Sequence, residues 1–435
     1  MSDERTGPFL HDASPHLLEA AVAANHRELF TLRARIAGGE VREADAVTWT
    51  HCGDARDPVI MFPQLAPERA GEQLDAIVQF YRERRPKPLV GCWSLDPTSP
   101  PDLDVRLLAR GFQPGWRPCW MWLDLLSPRT ESSQPDGLRI ETLEAAPTWE
   151  APQLPYFDQA EAAIDHAIAT LHPRRLWHFV ASLAGEVVGH STLFVTSGPL
   201  GVAGIYNVGV VPGARNRDIG KAVTAAACRQ AQALGCRHAL LNATGERMYR
   251  QLGFERIGYG RTWWLSVARL EARPPTRETI DLAEAVGRGD VDALAALAQR
   301  GAAGSLDAPL ANGMTLLELA AHARQPESAE WLVGKGAALD VIVAWDLGWR
   351  GRVARLLAEH PERANRQRGE MATTPLHEAV QRDDHELARA LLAARPDVSI
   401  KDATFGATPL GWAKHLRRGT MVELIERYEA EDPAA

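Results

Sequence analysis

At 435 residues and 47.6 kDa the chain exceeds one compact core and, at roughly 100–200 residues per domain, calls for about two to four. With 45% apolar and 24% charged residues, a net charge of −8, and no apolar run near the ~20 residues that span a bilayer, extended disorder, a membrane protein and a nucleic-acid binder are excluded. The polar start through Ser14 has no signal-peptide core, and five scattered cysteines without a Cys-x-x-Cys pair exclude a disulfide framework and fit a cytoplasmic protein with no metal.

In chain order, residues 1–128 end on Leu107-Leu-Ala-Arg-Gly-Phe112, a helix end, followed by an apolar strand over Pro118–Leu125. Leu126 to Gly137 is polar, with Pro, Ser and Gly, and reads as a linker. The next segment, 137–269, alternates strand and helix signals. His178–Leu183 and Glu186–Val195 form an expected hairpin about Ala184-Gly185, and Gly204–Val211 is a strand stopped by Pro212. Gly220 to Leu234 has helical spacing with Gly235 as its cap, His238–Ala243 is a short strand, and Glu246–Leu252 is a helix closed by Gly253. This predicts an α+β domain, a mixed sheet flanked by helices.

Two prolines in Ala272-Arg-Pro-Pro-Thr276 break the chain again. Beyond them one phrase recurs: Thr315-Leu-Leu-Glu-Leu-Ala, Thr374-Pro-Leu-His-Glu-Ala and Thr408-Pro-Leu-Gly-Trp-Ala, the last two 34 residues apart. In the two later copies Pro stands at the first helical position, where its missing N–H costs little, and the Thr of each copy can hydrogen-bond across the turn. An amphipathic Leu-rich helix follows each copy, and weaker copies begin near Ile280 and Val343. Residues 276–428 therefore resemble ankyrin repeats, about five helix pairs in an all-α solenoid whose period is ~33 residues. That resemblance implies a protein partner, with Trp345, Trp349 and Trp412 as candidate anchors, although Trp in such repeats more often fills the core.

The run from Tyr206 to Ala222 carries the chemistry. A strand ends in Pro212, an arginine-bearing turn follows, and a helix opens at Gly220. The unsatisfied N–H groups and positive dipole end of a helix start favour an anion, most naturally a pyrophosphate, and neighbouring arginines add charge-assisted bonds. Val208-x-Val210-x-Pro212, then Arg215-x-x-Asp218-x-Gly220, then Tyr249-x-x-x-Gly253-Phe254 stand in order. This pattern resembles the GCN5-related N-acetyltransferase superfamily over about 137–268.

The resemblance implies acetyl-CoA as co-substrate and direct acetyl transfer to a primary amine, of a small molecule or of a protein recruited by the repeats. Backbone of Val208, Gly209 and Val210 would pair with the pantetheine arm. Arg215, Asn216, Arg217, Asp218, Ile219, Gly220, Lys221 and Ala222 would cradle the pyrophosphate, Asn242 would lie beside the thioester arm, and Tyr249 would protonate the departing thiolate.

Asp218 stands where the superfamily usually has its first Gly. Three readings follow: the loop slips so that Arg217 takes the first role, Asp218 faces solvent and tethers an arginine, or cofactor binding is weak. The last leads to an alternative function, a non-catalytic ligand-sequestering or scaffold protein.

No carboxylate lies on the Gly204–Val211 strand to act as base, so Tyr206 or Asn207 would position a water. His190 reads as a packed face residue and Trp263-Trp264 as wall packing. Residues 1–128 repeat the Gly-Phe helix end and final strand without the Arg-x-x-Gly-x-Gly turn, which implies a degenerate acetyltransferase-like copy. In tandem members of the superfamily the silent half walls the substrate cleft. Trp93, Trp116, Trp120 and Trp122 are then cleft candidates, with core as their default.

Overall fold

A computed structural model describes residues 8–44, 46–53, 57–127, 135–300, 306–369 and 371–431. Most of the predicted linker, 128–134, lies outside the described residues, as does the start of the chain through residue 7. Two compact units result: the chain up to Leu107 with Phe112–Ala272, and Leu108–Gly111 with Arg273–Ala435.

The first half of the chain in the first unit contributes α1 (Pro15–Ile36), β1 (Glu40–Ala44), β2 (Val47–His51), β3 (Val59–Met61), α2 (Ala70–Arg84), β4 (Val90–Trp93), α3 (Leu103–Ala109), β5 (Gln113–Pro114) and β6 (Cys119–Asp124). The second half contributes β7 (Leu138–Thr142), α4 (Gln159–Ala169), β8 (Leu176–Leu183), β9 (Glu186–Val195), β10 (Ala203–Val210), α5 (Ile219–Ala233), β11 (His238–Ala243), α6 (Glu246–Gln251), β12 (Glu255–Tyr259), β13 (Thr262–Leu265) and α7 (Val267–Ala272).

The strands make two mixed sheets with orders β1-β2-β3-β4-β13-β5 and β12-β6-β11-β10-β9-β8-β7. Reading the second from β8 to β12 gives the same succession of pairings as the first. Three strands run antiparallel, one parallel step follows (β3–β4 or β10–β11), and two antiparallel strands close the edge. The penultimate strand of each sheet comes from the other half of the chain. β6 inserts between β11 and β12, and β13 inserts between β4 and β5. Segment-by-segment reading does not contain this exchange, because pattern shows that a stretch is a strand and not which strand it meets.

Local chemistry explains the elements. The β8–β9 turn has positive φ at both Ala184 and Gly185, which suits the right-handed twist of a two-residue hairpin. α5 and α6 each end before a glycine with positive φ, Gly235 and Gly253, in the left-handed conformation that closes helices. The core under the second sheet gathers Met121 and Leu123 from β6 with Leu193, Ile205, Ala227, Leu241 and Phe254. A separate cluster joins Leu18 and Val22 of α1 to Met61, Trp120 and Leu240, so α1 is buried against strands of both sheets.

The second unit is built from helix pairs: α8 (Arg277–Arg288) with α9 (Val291–Gln299), α10 (Leu316–His322) with α11 (Pro326–Gly334), α12 (Val341–Asp346) with α13 (Arg350–Glu359), α14 (Pro375–Arg382) with α15 (His385–Leu392), and α16 (Pro409–His415) with α17 (Gly419–Glu431). Each Thr of the repeated phrase is a helix N-cap. Thr315, Thr374 and Thr408 accept from the N–H of Glu318, His377 and Gly411, which satisfies one orphan donor per helix. Trp345 is buried in the core of the later repeats, and Trp349 and Trp412 pack against it part-buried. The Trp345 and Trp412 indole N–H groups donate to Asp384 and Asp402.

Candidate active site

β10 holds the key to the site. Against β9 its register slips by one residue between Tyr206 and Gly209, and Asn207 within that bulge has φ +52°. A bulge bends a strand away from its neighbour. On its other side β10 pairs with β11 only at Ala203 and Gly204. Past Gly204 the two strands part and leave the backbone of residues 205–210 without a ladder partner on that edge. In the first sheet the matching parallel pair stays joined. Val59, Ile60 and Met61 pair with Gly91, Cys92 and Trp93, and the Phe62 N–H donates to the Trp93 carbonyl at 2.8 Å.

A cleft of about 810 Å³ opens beside the bulge, lined by Tyr206, Asn207 and Val208 of β10, by Asn242 and Thr244, and by Tyr249 of α6. Residues from the first half, among them His26, Phe30, Trp93 and Trp116, share the lining with Trp264 of β13. Of the four cleft candidates named from the first half, Trp93 and Trp116 line it, Trp120 is buried in the core, and Trp122 packs part-buried beside it. Trp263 is core, whereas Trp264, read from sequence as wall packing, reaches the cleft.

Tyr249 is buried at 7% exposure with its ring edge-on to Phe254, centroids 5.9 Å apart. Burial, with Tyr156 nearby, pushes its hydroxyl well above the ordinary tyrosine range, so it holds its proton at every working pH. The Tyr206 hydroxyl is likewise held protonated by burial and donates to Asn25 Oδ1 at 2.7 Å. Asn25 of α1 in turn donates to Thr196 Oγ1 and to the Val202 carbonyl. Any side chain at Gly204 would collide with this amide, which accounts for glycine there.

At the start of α5, Arg215, Asn216, Arg217 and Asp218 are exposed, while Ile219 and Gly220 are buried. Asn216 and Asp218 both have positive φ, +62° and +55°. Asp218 thus adopts the left-handed turn that a glycine would take at this place, a conformation Asp tolerates better than most residues. Its carboxylate is half-exposed and pairs with Lys221 Nζ at 2.9 Å, a lysine where the sequence reading set an arginine. Arg215 Nε turns back toward the Val210 carbonyl at 3.4 Å. A Cβ on Gly220 would sit 3.1 Å from Met248 Sδ, so glycine lets α6 close against the mouth of α5.

The carboxylate missing from β10 comes from elsewhere in the fold. Glu161 of α4 lines the cleft and accepts from the Asn207 amide at 3.4 Å. It also pairs with Arg33 of α1 at 2.6 Å, and Arg33 grips Asp165 through Nε and Nη2 at 2.7 and 2.6 Å. Burial alone would lower the pKa of Arg33, but the two carboxylates outweigh it and hold it above the ordinary value. No local motif marks Glu161. Asp158 caps α4 through the Glu161 N–H, and only the tertiary meeting of α1, α4 and the bulge brings the residue to the cleft.

Behind β10, His190 bonds His178 at 3.1 Å and the Pro155 carbonyl at 2.9 Å, a packed residue as its place mid-strand suggested. Burial holds His178 at about 3 and lowers His190. Among the described residues no group of His, Cys, Asp and Glu side chains is placed to hold a metal, and no helix is long and apolar enough to cross a membrane.

Solved structures that resemble the chain include a GCN5-related N-acetyltransferase from Kribbella flavida (18% identity, 57% of this chain and 95% of that one, TM-score 0.42). A GCN5-related N-acetyltransferase from Sphaerobacter thermophilus matches at 15% (61% and 97%, TM-score 0.38). A functionally unknown conserved protein from Staphylococcus epidermidis matches at 12% (52% and 94%, TM-score 0.37). No curated protein matches the sequence. Residues 139–254 match the model of the acetyltransferase (GNAT) family and residues 373–403 that of the ankyrin repeat. The chain joins a GNAT-family acetyltransferase domain, in the half that carries the bulged strand and Tyr249, to a C-terminal ankyrin-repeat region.

Proposed function

We propose that the protein transfers an acetyl group from acetyl-CoA to a primary amine, with one working site per chain. The observation that carries this reading is the parting of β10 from β11 beside the bulge, with Asn242 and Tyr249 on the walls of the gap. The free edge of Val208, Gly209 and Val210 fits an extended pantetheine arm as an added strand. Arg215 through Ala222, with Gly220 at the helix mouth and Lys221 and Arg217 beside it, fit a pyrophosphate. Asn242 suits the thioester arm.

Acetyl-CoA, when bound, supplies an acyl group already activated as a thioester. The chain does the rest. Backbone N–H groups of the bulged segment of β10 can donate where negative charge develops on the acyl oxygen. Tyr249, protonated throughout, delivers a proton to the sulfur that leaves. Glu161, presented beside Asn207, receives the incoming ammonium and takes up one of its protons. The neutral amine then attacks the thioester carbon, the C–S bond breaks, and the departing thiolate takes the Tyr249 proton. The first half keeps the same strand succession, but β3 and β4 remain paired where the second half opens, which supports its being a copy without a cofactor site. The repeats supply a surface for a protein partner. Phe405, 72% exposed on the turn before α16 and edge-on to Trp412, is its most prominent apolar feature among the described residues.

Steady-state release of free thiol from acetyl-CoA, in the presence of a panel of primary amines, tests the reading. The Tyr249→Phe protein should bind acetyl-CoA as the wild type does and lose about 100-fold or more in kcat. Equal turnover by the two proteins would remove Tyr249 from the chemistry.

A further inference from the structure

A sheet edge is a row of unpaired backbone donors and acceptors, and the two sheets of the first unit end on β1 and β5, and on β12 and β7. Three of these edges are blunted. β5 is two residues long and contains Pro114, β12 slips register between Arg256 and Gly258, and Glu40 on β1 is tied to Arg42 and Arg84. β7 carries none of these devices. It pairs with β8 alone among the described residues, and the Leu143 N–H just past its end donates to the His178 carbonyl at 2.8 Å. Hydrogen-bonded positions alternate along an antiparallel pair, so Arg139 and Glu141 also turn their backbone toward β8. The N–H and C=O groups of Ile140 and Thr142 therefore face outward.

Side chains follow the same alternation. Arg139 and Glu141 are exposed on one face of the strand, and neither enters an ion pair among the described residues. Ile140 and Thr142 lie on the other face, toward α5, where with Phe179, Ala226, Arg229 and Ala233 they line a hollow of about 340 Å³. The alanines of α5 leave it unfilled.

We propose that this edge binds a second copy of the chain, β7 against β7, antiparallel about a two-fold axis at Ile140. The two Ile140 residues then exchange both backbone hydrogen bonds, and Arg139 of each copy faces Glu141 of the other. On the α5 face the second Ile140 enters the mouth of the hollow. The charges choose this register. Moving the axis by one residue sets Arg139 against Arg139 or Glu141 against Glu141, and moving it by two leaves both charges unanswered. β7 stands three strands from β10 in the sheet, so the pairing does not occupy the gap beside β11.

Sedimentation equilibrium of the full chain across the micromolar range reads the proposal. The wild type should approach twice the 47.6 kDa mass of one chain. Arg139→Glu and Glu141→Arg should each weaken self-association about tenfold or more, because either change sets two like-charged pairs in the interface. Mixed in equal amounts, the two variants should pair as tightly as the wild type, each supplying the charges the other lacks, which a folding defect would not reproduce. A wild-type chain that stays monomeric would overturn the proposal and leave the edge bare or covered by the chain's own linker. A dimer indifferent to both reversals, or no recovery on mixing, would overturn it as well.

Discussion

Two charged residues of the site, Asp218 and Arg33, respond differently to substitution. Asp218 sits at φ +55° at the mouth of α5, where the proposed pyrophosphate would make a carboxylate unwelcome, and its pairing with Lys221 removes a cation from the same place. Asp218→Gly removes the left-handed cost of roughly 1 kcal/mol, offset in part by added freedom in the unfolded chain, so the melting midpoint should hardly move. Acetyl-CoA binding should tighten several-fold, since one unit charge removed at ~4 Å in water is worth about 1 kcal/mol and Lys221 is set free. Unchanged affinity would place the phosphates elsewhere. Arg33 is the opposite case: it is 2% exposed and holds two carboxylates in a buried set, so Arg33→Ala should cost about 3–5 kcal/mol in urea unfolding. A loss below about 1 kcal/mol would mean that water replaces it. The places of Gly220 and Tyr249 were legible as a spaced pattern, and Asp218 as a departure from it. Glu161 was not, because its neighbours Arg33 and Asn207 lie 128 and 46 residues away in sequence and nothing local distinguishes it from any helical glutamate.

At the scale of elements, the hairpin, α5, β11 and α6 follow from period, turn and cap residues that act over a few positions. The bulge in β10 does not, since Asn207 bears no mark of it in a run that alternates like any strand. Nor does the exchange of β6 and β13, a matter of partners, not of propensity. Its energetic weight is large. β6 brings Trp120, Met121 and Leu123 into burial, at roughly 1.5–3 kcal/mol for each large side chain, against a total stability of only about 5–15 kcal/mol. Residues 8–127 and 135–272 produced alone should therefore fail to fold cooperatively, and produced together as two chains should co-purify and melt as one. Cooperative unfolding of either segment alone would show that each half completes its own sheet.

Across the whole first unit, the burial of histidines ties stability to pH. His26 and His178 are both held at about 3, His26 by burial with Arg33 and Arg27 nearby, and burial lowers His190 and His238 as well. Each is neutral when folded and takes up a proton on unfolding once the pH drops below the ordinary value of about 6.5. Stability is thus full above about pH 6.5 and falls as pH declines toward 3, by up to ~1.4 kcal/mol per pH unit for each such histidine. Chemical unfolding between pH 7.5 and 5 should show this slope, and His178→Phe should make it shallower. A flat profile would mean that these imidazoles reach water in the folded state.

In the proposed transferase the two halves of the first unit divide the work: one opens its parallel strand pair, where the acyl donor would lie, and the other keeps its pair closed. Titration of the wild-type chain with acetyl-CoA tests this most directly. Saturable binding with a stoichiometry of one per chain is the expected result. Two equivalent sites, or no binding at all, would contradict it.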